Sequence, residues 1–442
     1  EKYREIQGTY PVIFLSFAKI KQNTYKDAIA GIKRIICDEI QKYIFLKDWD
    51  GLADAEKNNL KNITYGMDDV TAQEAIASLS NYLSRYYGKN VIILLDEYDT
   101  PMQEAYVNGY LEELVSFTRS FFNATFKSNL YLERAVITGI TRVSKESIFS
   151  DLNNLKVITV ESDEYSDTFG FSEEEVFLAL DDFNLSDKKQ IVKEWYDGFT
   201  FGSQRDIYNP WSIINFLENK KIDTYWADTS SNSLINHLIK KSVPEIKELM
   251  ELLLKRESIE VTFDDQIVFN QLDKSKNAIW SLLVASGYLK IDDIEYKGLL
   301  LKPWYHISIT NLETVSMFAN MFAGWFENPD ARYNDFIKSL LNNDLKGMNY
   351  YMNKVALATF SYFDTGKNPS ETLEPERFYH GFVLGLIVEL SDRYEVKSNR
   401  ESGFGRYDVM IIPLDKSEKA IVLEFKVHEN DEEKTLEETV SS

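Results

Sequence analysis

Cysteine is almost absent from this 442-residue chain: Cys37 is the only one. That excludes an internal disulfide framework and a cysteine-rich zinc site, and it suits a reducing cytosol. No apolar run approaches the length of a membrane-spanning helix, and no secretory leader is expected from the opening residues. Histidine is scarce: His237, His306 and His428 lack ligand spacing, and His380 reads as a packing or capping residue on a helix before a strand pair. Positive charge is in deficit, with 49 Lys and Arg against 71 Asp and Glu and a net charge of −22. A surface that is basic throughout is therefore excluded, while a local phosphate-facing patch is not. No internal repeat and no low-complexity segment is found.

What is present is ordinary for a globular protein: 44% hydrophobic and 27% charged residues. At roughly 100–200 residues per domain, the length predicts two to four domains. The chain opens on Glu1 and closes at Ser442 within helical patterns. We therefore expect it to be an internal portion of a longer protein.

Pro11–Phe17 reads as a buried strand, followed by helices over about 24–45 and 70–87. Val91-Ile-Ile-Leu-Leu95 reads as a fully buried strand of the parallel kind, closed by Asp96-Glu97. A helix at about 110–127 leads to the strand Ala135–Gly139. Strands alternating with helices predict an α/β doubly wound domain. Residues 173–255 read as mostly helical, with aromatic loops at Trp195–Gly202 and Tyr208–Trp211. Segment 275–302 reads as helix, Gly287, strand (Tyr288–Ile291) and strand (Leu299–Leu301), the outline of a winged helix. Helices at about 312–326 and 331–359 form a connector, with a hinge at Asp364–Pro369. The remainder reads as a helix (376–390) and three strands (393–398, 406–412, 420–426).

Two constellations carry chemistry. A hydrophobic strand ending in Asp96-Glu97 has the form of a Walker B element, in which Asp96 holds the Mg²⁺ of a nucleoside triphosphate and Glu97 orients the attacking water. Thr138 and Arg142, on and after the next strand, would sense the γ-phosphate and stabilise charge. A strand followed by an acidic helix cap would read the same. No Gly-x-x-x-x-Gly-Lys-Ser/Thr occurs; in a P-loop fold that motif would fall before Glu1.

The second constellation is Ile421-Val-Leu-Glu-Phe-Lys-Val427, where Glu424 and Lys426 share one strand face. Asp408 lies near the entry of the strand before it. If these strands are neighbours, Asp408 and Glu424 bind a divalent metal jointly, and Lys426 orients water and stabilises a phosphodiester. Between 376 and 428 there are eight Lys and Arg against nine Asp and Glu, far less negative than the whole. Arg400 and Arg406, with Arg393 and Lys397, would form the phosphate-facing surface. A solvated hairpin with a surface ion pair would look similar.

Taken together, Val91–Pro101, Thr138–Arg142 with Ser147–Asn154, Tyr165–Phe171, Trp195–Gly198 and Tyr208–Trp211 resemble the bacterial AAA-ATPase-like family. Phe378–Gly385, Ser398–Asp408 and Ile421–Lys426 resemble the PD-(D/E)xK nuclease-superfamily domain that usually follows it. The resemblance implies a P-loop-type doubly wound domain lacking its Walker A start (1–235), a helical and winged-helix-like segment (236–330), a helical connector (331–370) and a restriction-endonuclease-like α/β domain (371–442). It implies Asp408, Glu424 and Lys426 as the nuclease core, Glu401 and Arg406 as its flanking pattern, and Asp96 and Glu97 as Walker B. The family's Pro-Asn-x-Glu reads Thr310-Asn-Leu-Glu313 here, and the helix after the Glu-x-Lys strand is cut short. The expected activity is metal-dependent hydrolysis of nucleic acid, DNA foremost, with Mg²⁺ or Mn²⁺ and, in the full-length protein, ATP. No membrane partner is expected, and the location is cytoplasmic. The alternative is a nucleotide-dependent switch or nucleic-acid-binding scaffold with an inactive nuclease-like domain.

Overall fold

The computed structural model of the chain describes residues 4–140, 152, 155–227, 233–242, 244–263, 277–323, 333–352, 374–402 and 405–424. It is a mixed α/β structure that divides into two units. One comprises Glu1–Glu164 and Phe263–Ser286, the other Tyr165–Thr262 and Gly287–Ser442.

The first unit opens on β1 (Val12–Ser16), α1 (Tyr25–Gln41), α2 (Asp54–Asn62) and α3 (Asp69–Tyr87). It continues through β2 (Val91–Asp96), α4 (Thr100–Asn108), α5 (Leu111–Phe122) and β3 (Leu132–Ile137). The three strands form a parallel sheet in the order β1-β2-β3. The helices start where their sequences cap them: Thr24 accepts the Asp27 amide and Asp68 the Thr71 amide, while Gly88 ends α3 in the left-handed region. α1 packs on β1 and α3 on β2, burying Ile13, Leu15, Ile93 and Leu95. The opposite sheet face is more open, with Val12, Phe14 and Val136 40–48% exposed. β2 thus alternates buried and half-buried positions, where its run of aliphatics had predicted burial on both faces. The reason is that the described helices packed on β1 and β2 cover the Ile93 face.

The second unit begins with β4 (Phe171–Ser172), α6 (Glu173–Asp182), α7 (Lys189–Tyr196), β5 (Phe199–Phe201), β6 (Gln204–Tyr208) and α8 (Pro210–Asn219). β4, β6 and β5 form a small antiparallel sheet. Val176, Leu180, Val192, Tyr196, Tyr208 and Phe216 fill the core among these elements. Next come α9 (Ser233–Lys241), α10 (Pro244–Leu254) and β7 (Ile259–Val261). The chain then contributes α11 (Ala278–Ala285) to the first unit before returning with β8 (Leu289–Lys297) and β9 (Lys302–Ile309), which with β7 make a sheet ordered β7-β9-β8. The predicted strand at Leu299–Leu301 is instead the tip of this hairpin. Leu301 takes a φ of 48° there and Leu299 is fully exposed, because Gly298 turns the chain at a φ of 74°.

α12 (Leu312–Ala323) and α13 (Tyr333–Leu341) follow, then α14 (345–352). The single helix expected from 331 is broken at Asn342–Asp344, where Asn343 adopts a φ of 56°, a conformation asparagine tolerates better than most residues. α15 (Glu374–Leu390) leads into an antiparallel sheet of β10 (Tyr394–Ser402), β11 (Gly405–Pro413) and β12 (Ile421–Leu423). α15 buries Phe382, Val383, Leu384 and Leu386 completely and packs against α10, α12 and β10. The hinge expected at Asp364–Pro369 lies outside the described residues.

Candidate functional sites

Two candidate sites are built from strand ends. In the first unit, register sets Ser16 beside Asp96. The Ser16 hydroxyl donates to Asp96 Oδ2 (3.1 Å) and the Thr138 hydroxyl to Asp96 Oδ1 (2.8 Å). A carboxylate thus sits at the carboxyl edge of a parallel sheet, held from both sides by hydroxyls from the neighbouring strand β1 and from just beyond β3. That edge is where α/β sheets bind ligands. Ser16 was missed by sequence reasoning; its position as the last residue of an apolar strand was the available signal.

Beyond Asp96 the chain turns sharply. Glu97 has a φ of 52°, and its carboxylate accepts the Thr100 hydroxyl. The Tyr98 amide donates to the Thr138 carbonyl (3.0 Å). A Cβ on Gly139 would fall 2.4 Å from Asp99 Oδ1 and 2.7 Å from the Tyr98 ring, so only glycine allows the two loops to approach. Arg142 lies outside the described residues.

In the second unit, β11 pairs with β12 through Ile411↔Ile421, Met410↔Val422 and Val409↔Leu423. Asp408 and Glu424 are the next residues beyond the last of these pairs. Val409 and Ile411 are buried, whereas Asp408 is half-buried and Glu424 exposed, so the two carboxylates lie on the open phase of the strands. On the other side β10 pairs with β11 through Glu401↔Arg406 and Arg400↔Tyr407. Arg406 therefore shares the strand phase of Asp408, and Arg400 takes the opposite phase. Lys426 lies outside the described residues, as do the side chains of Arg400, Glu401, Arg406 and His380.

Other charged residues do work that their sequence neighbours do not announce. Glu313 is wholly buried on α12. Its Oε1 accepts the amides of Tyr225 (2.6 Å), Trp226 (2.7 Å) and Ala227 (3.4 Å), and its Oε2 accepts the Ser212 hydroxyl (2.8 Å). Burial raises its carboxyl above the ordinary 4.5, and these hydrogen bonds pull the other way. The Thr310-Asn-Leu-Glu313 motif is thus a clamp: Asn311 Oδ1 accepts the Thr314 amide, and the Thr310 carbonyl abuts Gly198, where a Cβ would come within 2.2 Å. His306, without ligand spacing in sequence, stands opposite Glu260 on β7, 3.5 Å from its carboxylate, with Glu295 at 4.0 Å. No helix among the described residues is long and apolar enough to cross a membrane.

Residues 1–149 match the family described as Predicted AAA-ATPase, and residues 374–441 match the PD-(D/E)XK nuclease superfamily. An "Uncharacterized protein in vnfD 5'region" of Azotobacter chroococcum mcd 1 is 24% identical over 337 residues, 74% of this chain. The chain spans 60% of that relative's length. No solved structure matches the chain. The chain thus carries an AAA-ATPase-like segment followed by a PD-(D/E)XK nuclease-superfamily segment, in the order its motifs predict.

Proposed function

We propose that this chain is the core of a metal-dependent nuclease that hydrolyses phosphodiester bonds in nucleic acid, DNA foremost, and is coupled to its AAA-ATPase-like module. The observation that carries the reading is the β11–β12 register, which leads directly to Asp408 and Glu424 within a nuclease-superfamily segment. Residues opposite one another on antiparallel strands have Cβ atoms about 5 Å apart, close enough for two carboxylates to share one ion. The donor set fits Mg²⁺ or Mn²⁺: hard carboxylate oxygens on an open sheet face, with room left for water and phosphate oxygens. Such an ion, when bound, supplies a more acidic water and neutralises charge on the phosphodiester. Asp408 and Glu424 would hold it. Lys426, two residues after Glu424 in the sequence, would stabilise the charge that develops on the phosphate. Arg406, in the phase of Asp408, meets the substrate backbone, and Arg400 in the other phase contributes less.

In the first unit the reading is a P-loop-type doubly wound sheet, supported by three parallel strands with Asp96 at their carboxyl edge. Asp96 would hold the Mg²⁺ of ATP, Glu97 orient water and Arg142 stabilise charge. The Thr138 hydroxyl is committed to Asp96, so its part is to hold that carboxylate; sensing a γ-phosphate requires that bond to open. The working division into 1–235, 236–330 (helical and winged-helix-like), 331–370 and 371–442, with a cytoplasmic setting, belongs to the same proposal.

The test is cleavage of linear and circular DNA by the protein in its full natural length, with Mg²⁺ or Mn²⁺ and with and without ATP. Metal-dependent cleavage is expected, abolished by Asp408→Ala and reduced about 10²–10³-fold by Lys426→Ala, the cost typical of losing one charge-stabilising donor. Wild type and variants that leave DNA and RNA equally intact would refute it.

A further inference from the structure

Away from both strand-end sites, the second unit gathers three more carboxylates. Glu173 opens α6, Asp197 follows α7, and Asp206 lies on β6. One carboxylate oxygen from each lies within 4.8 Å of the other two. Lys193 of α7 stands among them, paired with Glu173 and lying 3.8 Å from Asp197 Oδ2 and 3.6 Å from Asp206 Oδ1. One ammonium facing three carboxylates leaves the group strongly negative. The Tyr208 hydroxyl adds a donor to Glu173 at 3.3 Å.

The telling atom is Asp197 Oδ1. Asp197 is only 8% exposed, and this oxygen is enclosed without a hydrogen-bond partner. A buried carboxylate oxygen facing no donor forfeits its hydration with nothing in return. A cation of higher charge than ammonium answers both the surplus and the orphaned oxygen.

We propose that Glu173, Asp197 and Asp206 bind a divalent cation of the hard, oxygen-seeking class, Mg²⁺, Mn²⁺ or Ca²⁺. All three ligands are carboxylates, as such ions prefer, and no nitrogen or sulfur donor stands among the three. Lys193 competes with the cation for Glu173, and cation binding moves its ammonium aside. The ion ties β6 to the start of α6 and the end of α7, and so fixes the hairpin between the Trp195–Gly198 and Tyr208–Trp211 motifs. This site is independent of the nuclease reading.

The test is Mn²⁺ titration followed by electron paramagnetic resonance, on the full chain carrying Asp96→Ala, Asp408→Ala and Glu424→Ala to silence the strand-end sites. Thermal unfolding with Ca²⁺ gives a second readout, because an ion that binds only the folded state raises Tm. The background protein is expected to bind Mn²⁺ and to gain Tm with Ca²⁺. Adding Asp206→Asn should weaken Mn²⁺ binding by at least about tenfold, the loss seen even for indirect partners of metal ligands, and shrink the Tm gain. That variant should fold, since Asp206 is 55% exposed and Asn tolerates its φ of 54°. A background protein that takes up neither ion, or an Asp206→Asn variant with unchanged affinity and Tm gain, overturns the proposal.

Discussion

Glu313 holds three consecutive amides and a serine hydroxyl in a space closed to water. Removing it leaves several buried donors unpaired, each costing about 1–3 kcal/mol. Glu313→Ala should therefore destabilise the protein by at least about 3 kcal/mol in urea unfolding. Glu313→Gln keeps an acceptor for the amides and should retain the fold. The two forms should also differ in pH dependence. Because the folded-state carboxyl is raised, the folded protein binds the proton more tightly than the unfolded chain does. The resulting stability is full below the ordinary glutamate range and is lost as pH rises through the raised value. Wild-type stability minus that of Glu313→Gln should fall across this interval and then level off; a flat difference would show that burial does not govern this group. None of this was legible beforehand, since the clamp's partners at 212 and 225–227 lie far from 313 in sequence. Asp96 was legible, because an aliphatic strand that stops at an acid is a local pattern. Its hydroxyl partner on β1 depends on strand pairing and was not.

At the level of elements, strong local signals survived and weak ones did not. β1, α1, α3, β2, α15 and the three C-terminal strands lie where periodicity predicts them, with ends moved by a few residues. The Leu299–Leu301 run had strand composition but no alternation, and the turn chemistry of Gly298 outweighed it. The 331–359 helix failed at Asn-Asn-Asp, residues that favour local turns over helix interiors. α2, α4 and the β5–β6 hairpin were too short and polar to announce themselves. The faces of the first sheet give a direct check. Leu95 is wholly buried under the helices, whereas Val136 is 48% exposed. Leu95→Ala should cost about 2–5 kcal/mol, and Val136→Ala no more than about 0.5 kcal/mol. Comparable losses would mean that both faces of the sheet are covered.

Across the whole chain, the charge of −22 repels nucleic acid, so the proposed binding would have to be local. The 376–428 segment is nearly balanced, and the β10–β11 pairing sets Arg406 in the phase of Asp408. DNA affinity should fall steeply with salt, and Arg406→Ala should reduce the log–log salt slope by about 1 if Arg406 meets one phosphate. Arg400→Ala should change it less. An unchanged slope in both variants would move the nucleic-acid surface elsewhere. The order of the two family segments was legible because several of their motifs are long; which residues face one another required the register.

In the proposed mechanism Asp408 and Glu424 act as one metal-binding site. The most direct measurement is a double-substitution cycle on metal-dependent DNA cleavage, comparing Asp408→Asn, Glu424→Gln and the two combined. Groups that act as a unit lose their function together, so the double variant should be no slower than the slower single one. Losses that multiply would mean that the two carboxylates act separately, and cleavage untouched by either substitution would contradict the account.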